Sequence, residues 1–149
     1  MAGHDESGMR DTIARLQSVM LESVLTGQPL PGSIDPLWFP DLAWVTEAPS
    51  VLVSAENVPD PEQFSSITGN VIVTPEAEIR DVAKQEGDRT YVHFTPPETS
   101  EGRIRLTMEV RMAPTEPDLL TLGLGGITAT FVESNGSWVV GEPPAAFAS

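Results

Sequence analysis

The chain has no cysteine, a single lysine and only two histidines. Without cysteine there is no disulfide framework, no thiol nucleophile and no thiolate-bound zinc or iron–sulfur centre. The histidines, His4 and His93, are too few for a typical zinc site, and the oxygen donors Asn57, Asp60 and Glu62 lack the spacing and glycine of a calcium loop. No metal is expected. Bases are scarce: eight Lys and Arg against 22 Asp and Glu set the formal net charge at −14. That balance argues against nucleic-acid binding, which needs a basic patch to neutralise phosphates. A bilayer crossing needs about 20 apolar residues. The densest apolar run, 19–25, is broken by Glu22 and Ser23, so no membrane association is expected. Residues 1–10 are polar and carry no apolar leader segment, which points to a cytoplasmic protein. The sequon Asn135-Gly136-Ser137 would matter only in a secreted chain.

Against these absences stand 149 residues, 40% of them apolar, enough for one folded domain with a core. Residues 1–7 read as a flexible tail, and residues 8–149 as a single domain. Met9, Ile13, Leu16, Met20 and Val24 recur at spacings of three and four, which predicts a helix over 9–26. Gly27, Pro29 and Pro31 end it. From 29 to 61 there are seven prolines in 33 residues, a density incompatible with a long helix or a central strand. Short strands are expected within this irregular segment at 43–46 and 50–54, with a helical turn or two at 59–67.

The second half reads as strands at 71–74, 77–84, 89–95, 103–112, 126–133 and 138–141. In the clearest, Ile104, Leu106, Met108, Val110 and Met112 alternate with Arg103, Arg105, Thr107, Glu109 and Arg111. Such alternation marks a strand with one buried and one wet face. Turns at 86–88, 97–102 and 134–137 suggest hairpins, the last carrying the strong Asn-Gly signal. The expected fold is α+β: an N-terminal helix packed on a curved antiparallel β-sheet, a meander of about five to six strands. The stretch Leu122-Gly123-Leu124-Gly125-Gly126 lacks the third glycine and the following helix of a dinucleotide loop. It reads as a flexible strand entry or a bulge, and no cofactor is expected.

The order of elements, together with the closing hairpin 127–140 (ITATFVESNGSWVV), resembles the NTF2-like (SnoaL-like, cystatin-like) superfamily. The proline-rich segment departs from that family, standing where many members carry a second helix. The resemblance implies a bent sheet enclosing a conical cavity, and hence a ligand pocket, with a carboxylate or histidine inside it where members are enzymes. No position matches such a motif closely enough to take over a catalytic role.

Candidate pocket residues are Trp38, Asp41, Trp44, Tyr91, His93, Met108, Phe131 and Trp138. Apolar walls beside Asp41 would raise its pKa into a useful range, but the commoner reading is a solvated loop aspartate. His93 could act as a general base or ligand contact, but the commoner reading is a half-exposed histidine on the wet face of its strand. Methionine and aromatics line apolar pockets and, more often, simply fill cores. Six of the eight bases fall between residues 80 and 111. Arg103, Arg105 and Arg111 share one strand face, with Arg89 nearby, and form a candidate interface with an acidic surface of a second copy or with an anionic ligand. The bland alternative is a solvated face balanced by Glu109 and nearby acids. Two functional readings follow. One is an NTF2-like domain, as a homodimer, binding a small apolar or anionic molecule in a cone-shaped cavity. The other is an acidic interaction protein (inhibitor, immunity-type or assembly component) without catalytic activity. Acidity as a mere device for solubility is the blandest possibility.

Overall fold

The computed structural model describes residues 6–35, 37–39, 43–47, 50–67, 70–116 and 118–148. Helix α1 runs Glu6–Thr26, and Gly27 closes it at φ 77° with its amide donating to the Ser23 carbonyl. Ile13, Leu16, Met20, Leu21 and Val24 bury one broad face, as their spacing requires. Two buried polar residues on that face are used as ties. Gln17 Nε2 donates to the Asn57 carbonyl at 2.8 Å, and Ser18 Oγ donates to the Gln63 carbonyl at 2.8 Å. Asn57 and Asp60 are also structural. Asn57 donates to the Phe94 carbonyl, and Asp60 caps the 3-10 turn Pro61–Ser66 by accepting from the Glu62 amide.

A short helix, α2 (Ala43–Thr46), follows where a strand was expected. Only Val45 of its four residues is buried, so the segment has no alternating face to offer a sheet. The strands are β1 (Val51–Ser54), β2 (Val71–Thr74), β3 (Arg89–Phe94), β4 (Glu98–Ser100), β5 (Arg103–Ala113), β6 (Leu122–Ser134) and β7 (Ser137–Ala148). Among the described residues they form one open seven-stranded sheet in the order β2-β1-β3-β5-β6-β7, with β4 also paired to β5. The sheet is mixed, which corrects the antiparallel meander: β1 is parallel to both β2 and β3. Parallel neighbours need crossovers rather than hairpins. The 3-10 turn supplies the first crossover, and helix α3 (Glu76–Glu86) supplies the second.

Helix α3 replaces the strand expected at 77–84. Ile79 and Ala83 are buried one turn apart, Glu76 and Glu78 occupy the first turn, and Lys84 lies in the last, each matching the helix dipole. Consequently residues 86–88 join a helix to a strand instead of closing a hairpin. Asp88 then accepts from both the amide and the hydroxyl of Thr115 (2.6 and 2.7 Å), pinning the start of β3 to the end of β5.

The turn at 134–137 is a two-residue hairpin. Asn135 (φ 51°) and Gly136 (φ 81°) both take the left-handed conformation that matches strand twist. Register shifts occur opposite Gly123–Gly125 and again near Thr130, and bulges of this kind bend a sheet. The glycine-rich stretch is therefore part of β6 with a bulge. Gly126 also permits close approach, since a Cβ there would lie 2.3 Å from the Met108 carbonyl oxygen.

The sheet has two unlike faces. On the first, α1 packs over Val92, Phe94, Ile104, Leu106, Met108, Val110, Ile127, Ala129 and Phe131 in the main core. Phe64 stacks on Phe94 with ring centroids 6.2 Å apart. On the second, α3 covers only the β1–β3–β5 end, in a smaller cluster of Ile79, Ala83, Tyr91 and Ala113 with Leu52. At the β7 edge the chain after α1 forms a strap: Pro31 accepts from the Val140 amide at 2.9 Å. Gly32 permits the contact, with φ 84° and only 2.9 Å between its hypothetical Cβ and that of Val139. We expect Gly32→Ala to cost about 1–3 kcal/mol, the usual strain of a left-handed non-glycine residue, read as a lower urea midpoint at unchanged slope.

Candidate functional site

Titratable side chains converge beneath α3. Glu76 lies at the first turn of that helix, Tyr91 and His93 alternate along β3, and the β3–β5 register sets Tyr91 opposite Arg111 and His93 opposite Glu109. The Glu76 carboxylate accepts from the Tyr91 hydroxyl at 2.6 Å, from Arg111 Nη1 at 3.0 Å and from Arg80 Nη2 at 2.9 Å. Arg111 donates its Nε to Glu109. Burial pushes the Glu76 carboxyl up, but the bonds from Tyr91 and Arg111 and the neighbouring positive charge outweigh it, leaving the group below its usual range. Burial, reinforced by the bond to Glu76, pushes Tyr91 up to about 12. Burial and the Arg111 charge together hold His93 below its ordinary value, despite nearby Glu76, Glu109 and Glu56.

At neutral pH the cluster is thus an ionised Glu76 between two arginines, a protonated Tyr91 and a neutral His93. Its 3.6 Å approach of Nδ1 to Glu76 is therefore not an ion pair, and Nδ1 is buried without a hydrogen-bond partner. Glu76, Tyr91 and His93 are all buried. The arrangement locks α3 onto the sheet, with Arg80 and Arg111 as its more exposed members.

The expected pocket residues divide among separate places. Tyr91 and His93 come together, with His93 buried rather than half-exposed. Met108 and Phe131 lie across the sheet from them, fully buried in the α1 core, with Trp138 packed partly against it. Trp44 borders a small crevice with Leu52 and Tyr91. Trp38 is on the surface, 65% exposed. Asp41 lies outside the described residues, as does His4.

The arginine face is internally balanced. Arg103 pairs with Glu142 at 3.0 Å, Arg105 with Glu98 at 3.9 Å, Arg89 with Glu86 at 3.9 Å, and Arg111 with Glu76 and Glu109. Glu109 shares β5 with Arg111 and was anticipated; the other acids come from β4, β7 and α3, elements that sequence spacing could not place beside these strands. Exposed pairs of this kind add little stability, but they cancel most of the positive field at this face.

Two of the surface grooves among the described residues are lined by both apolar and charged side chains. One, of about 540 Å³, runs between residues 32–35 and 37–38 on one side and β7 on the other. Its lining includes Ile34, Leu37, Trp38, Ile127 and Val140, with Asp35 and Glu142 as its charged residues and no base. The other, of about 430 Å³, lies between the last turns of α3 and the β5–β6 connection. Its residues, including Arg80, Lys84, Leu119 and Leu120, were not anticipated. The i, i+4 spacing of Glu76, Arg80 and Lys84 was the available signal, and reading that stretch as a strand concealed it.

Comparison of the chain with known family models, curated proteins and solved structures returned no match. Among the described residues, no helix is long and apolar enough to cross a membrane.

Proposed function

We propose that this chain is a non-catalytic interaction domain whose acidic surface receives a basic protein segment bearing apolar side chains, docked in the groove beside Trp38. The observation that carries this reading is the exposure of two large apolar residues, Trp38 (65%) and Ile34 (90%), over a groove whose lining holds Asp35, a Glu142 that Arg103 reaches from outside it, and no base. An exposed indole face beside carboxylates attracts a guanidinium or ammonium group, and the surrounding apolar floor accepts the neighbouring side chain. The excess of 22 acids over eight bases would raise the association rate of a cationic partner. Burial of Glu76, Tyr91 and His93 supports the non-catalytic part, because the Glu76 carboxylate is taken up by Tyr91, Arg80 and Arg111. An NTF2-like architecture remains a reading of element order. It is supported by α1 lying over one face of a bulged sheet, and the groove does not depend on it.

The test is a fluorescence and calorimetric titration of the full chain with a short peptide containing arginine and leucine, and with its glutamate-for-arginine counterpart. The basic peptide should bind, with affinity falling as salt screens the charges. Trp38→Ala should weaken it about tenfold, the scale of a desolvated cation–π contact, while Trp44→Ala leaves it unchanged. Equal binding of both peptides, or indifference to Trp38→Ala, would sink the proposal.

A further inference from the structure

The second groove has the opposite electrical character, and we infer that it binds an amphiphilic oxyanion: a single hydrocarbon chain ending in a carboxylate or phosphate. Arg80 and Lys84 line one side, from successive turns of α3. Leu119 and Leu120, 61% and 83% exposed, line the other with Pro114 and Thr121, and Ala113 is also part of the lining. Glu116 is the one acid in the lining, against Lys84 and an Arg80 that already holds Glu76 from outside it, in a chain whose net charge is −14.

Both cations retain hydrogen-bonding capacity. The side chain of Lys84, the sole lysine, has no hydrogen bond or ion pair among the described residues, unlike the β-sheet arginines with their acid partners. Arg80 gives Nη2 to Glu76 and is otherwise half-exposed, leaving further N–H donors for a second anion. That bond also holds the guanidinium in place, so part of the ordering cost is met before a ligand arrives.

The opposite wall is held as well. Thr115 is bonded twice to Asp88, and the Leu119 amide donates to the Glu116 carbonyl at 3.1 Å. Two adjacent leucines this exposed, facing a lysine without an acid partner and an arginine with donors to spare, match a ligand with one apolar and one anionic end. A volume of about 430 Å³ falls in the small-molecule range, too small for a folded partner to fill.

The experiment is calorimetric titration of the full chain with octanoate, octyl phosphate and octanol, below their aggregation thresholds. Octanoate or octyl phosphate should saturate a single site, and the tighter of the two identifies the head group. Octanol should bind about tenfold more weakly, having no charge to place against Arg80 and Lys84. Lys84→Gln should weaken the anion about fivefold, in line with one exposed ion pair, and Lys84→Arg should restore it. Leu120→Asn should weaken all three ligands, and Trp38→Ala should change none, which separates this site from the peptide groove. The inference is overturned if neither anion saturates, if octanol binds as tightly as octanoate, if Lys84→Gln changes nothing, or if Trp38→Ala abolishes binding.

Discussion

Phe131→Ala is expected to destabilise the protein by about 3–5 kcal/mol, the cost of emptying a fully packed aromatic site. Phe131 is wholly buried on β6, opposite Ile104 on β5, within the cluster that joins Leu106 and Met108 to α1. Removing the ring deletes its burial and also leaves a void, because α1 is tied down by Gln17 and Ser18 and cannot collapse freely onto the sheet. For a chain of 149 residues this corresponds to a fall of about 10 °C in Tm. A parallel Met108→Leu change keeps volume and should cost less than about 1.5 kcal/mol. The pair distinguishes core from cavity wall. A side chain lining a solvent-filled cone would be removed with a loss under about 1 kcal/mol, and that result would restore the cavity reading. Urea denaturation at constant slope supplies the measurement.

How far the sequence reveals this architecture depends on how local each signal is. The α1 stripe, the error-free alternation of β5 and the Asn135-Gly136 turn all act within a few residues of themselves, and the structure contains each of them. The parallel strands carry no such signal. Strands β1 and β2 are four residues each, and their pairing depends on crossovers rather than on turn chemistry. Helix α3 was hidden for a related reason. Ala77 and Ile79 mimic alternation, and only the later Val82 and Ala83, with Glu76 and Lys84 at the ends, reveal a helical period. Misreading it removed the covering layer from the second sheet face, so His93 looked half-exposed. The candidate site suffered likewise. Tyr91 and His93 share a strand and were legible as neighbours, but their carboxylate comes from 15 residues upstream of Tyr91 and their arginine from 20 residues downstream. The balance of the arginine face had the same origin, since Glu142 and Glu98 reach Arg103 and Arg105 only through strand pairing.

Glu76→Ala should lower stability by about 3 kcal/mol and, unlike a core truncation, reshape the pH dependence as well. The substitution leaves the Tyr91 hydroxyl and Arg111 Nη1 without their acceptor in a buried place, a loss typically worth 3–5 kcal/mol when one partner of a buried pair is removed. The lower end applies because Arg111 keeps Glu109 and half-exposed Arg80 returns to water. In the wild-type chain, Glu76 and His93 both titrate below their ordinary values of 4.5 and 6.5, so the unfolded chain takes up their protons first. Their contribution is complete above pH 6.5. It declines as His93 and then Glu76 become protonated in the unfolded state, and is lost through their folded-state values. Tyr91 behaves in the opposite sense: raised from 10.0 to about 12, it contributes fully below pH 10 and loses that contribution as the pH climbs toward 12. Stability should therefore be flat between about pH 6.5 and 10 as far as these groups are concerned, and fall on both sides. The chain has one tyrosine, so tyrosinate absorbance reports Tyr91 alone. Folded wild-type protein should titrate near 12, and urea-unfolded protein near 10. Glu76→Gln removes the negative charge and keeps an acceptor, so it should bring the folded-state value down part of the way while burial holds it above 10. Were the tyrosine to titrate at 10 in the folded wild-type chain, or Glu76→Gln to leave its value unmoved, the carboxylate could not be the group that holds α3 to the sheet through Tyr91.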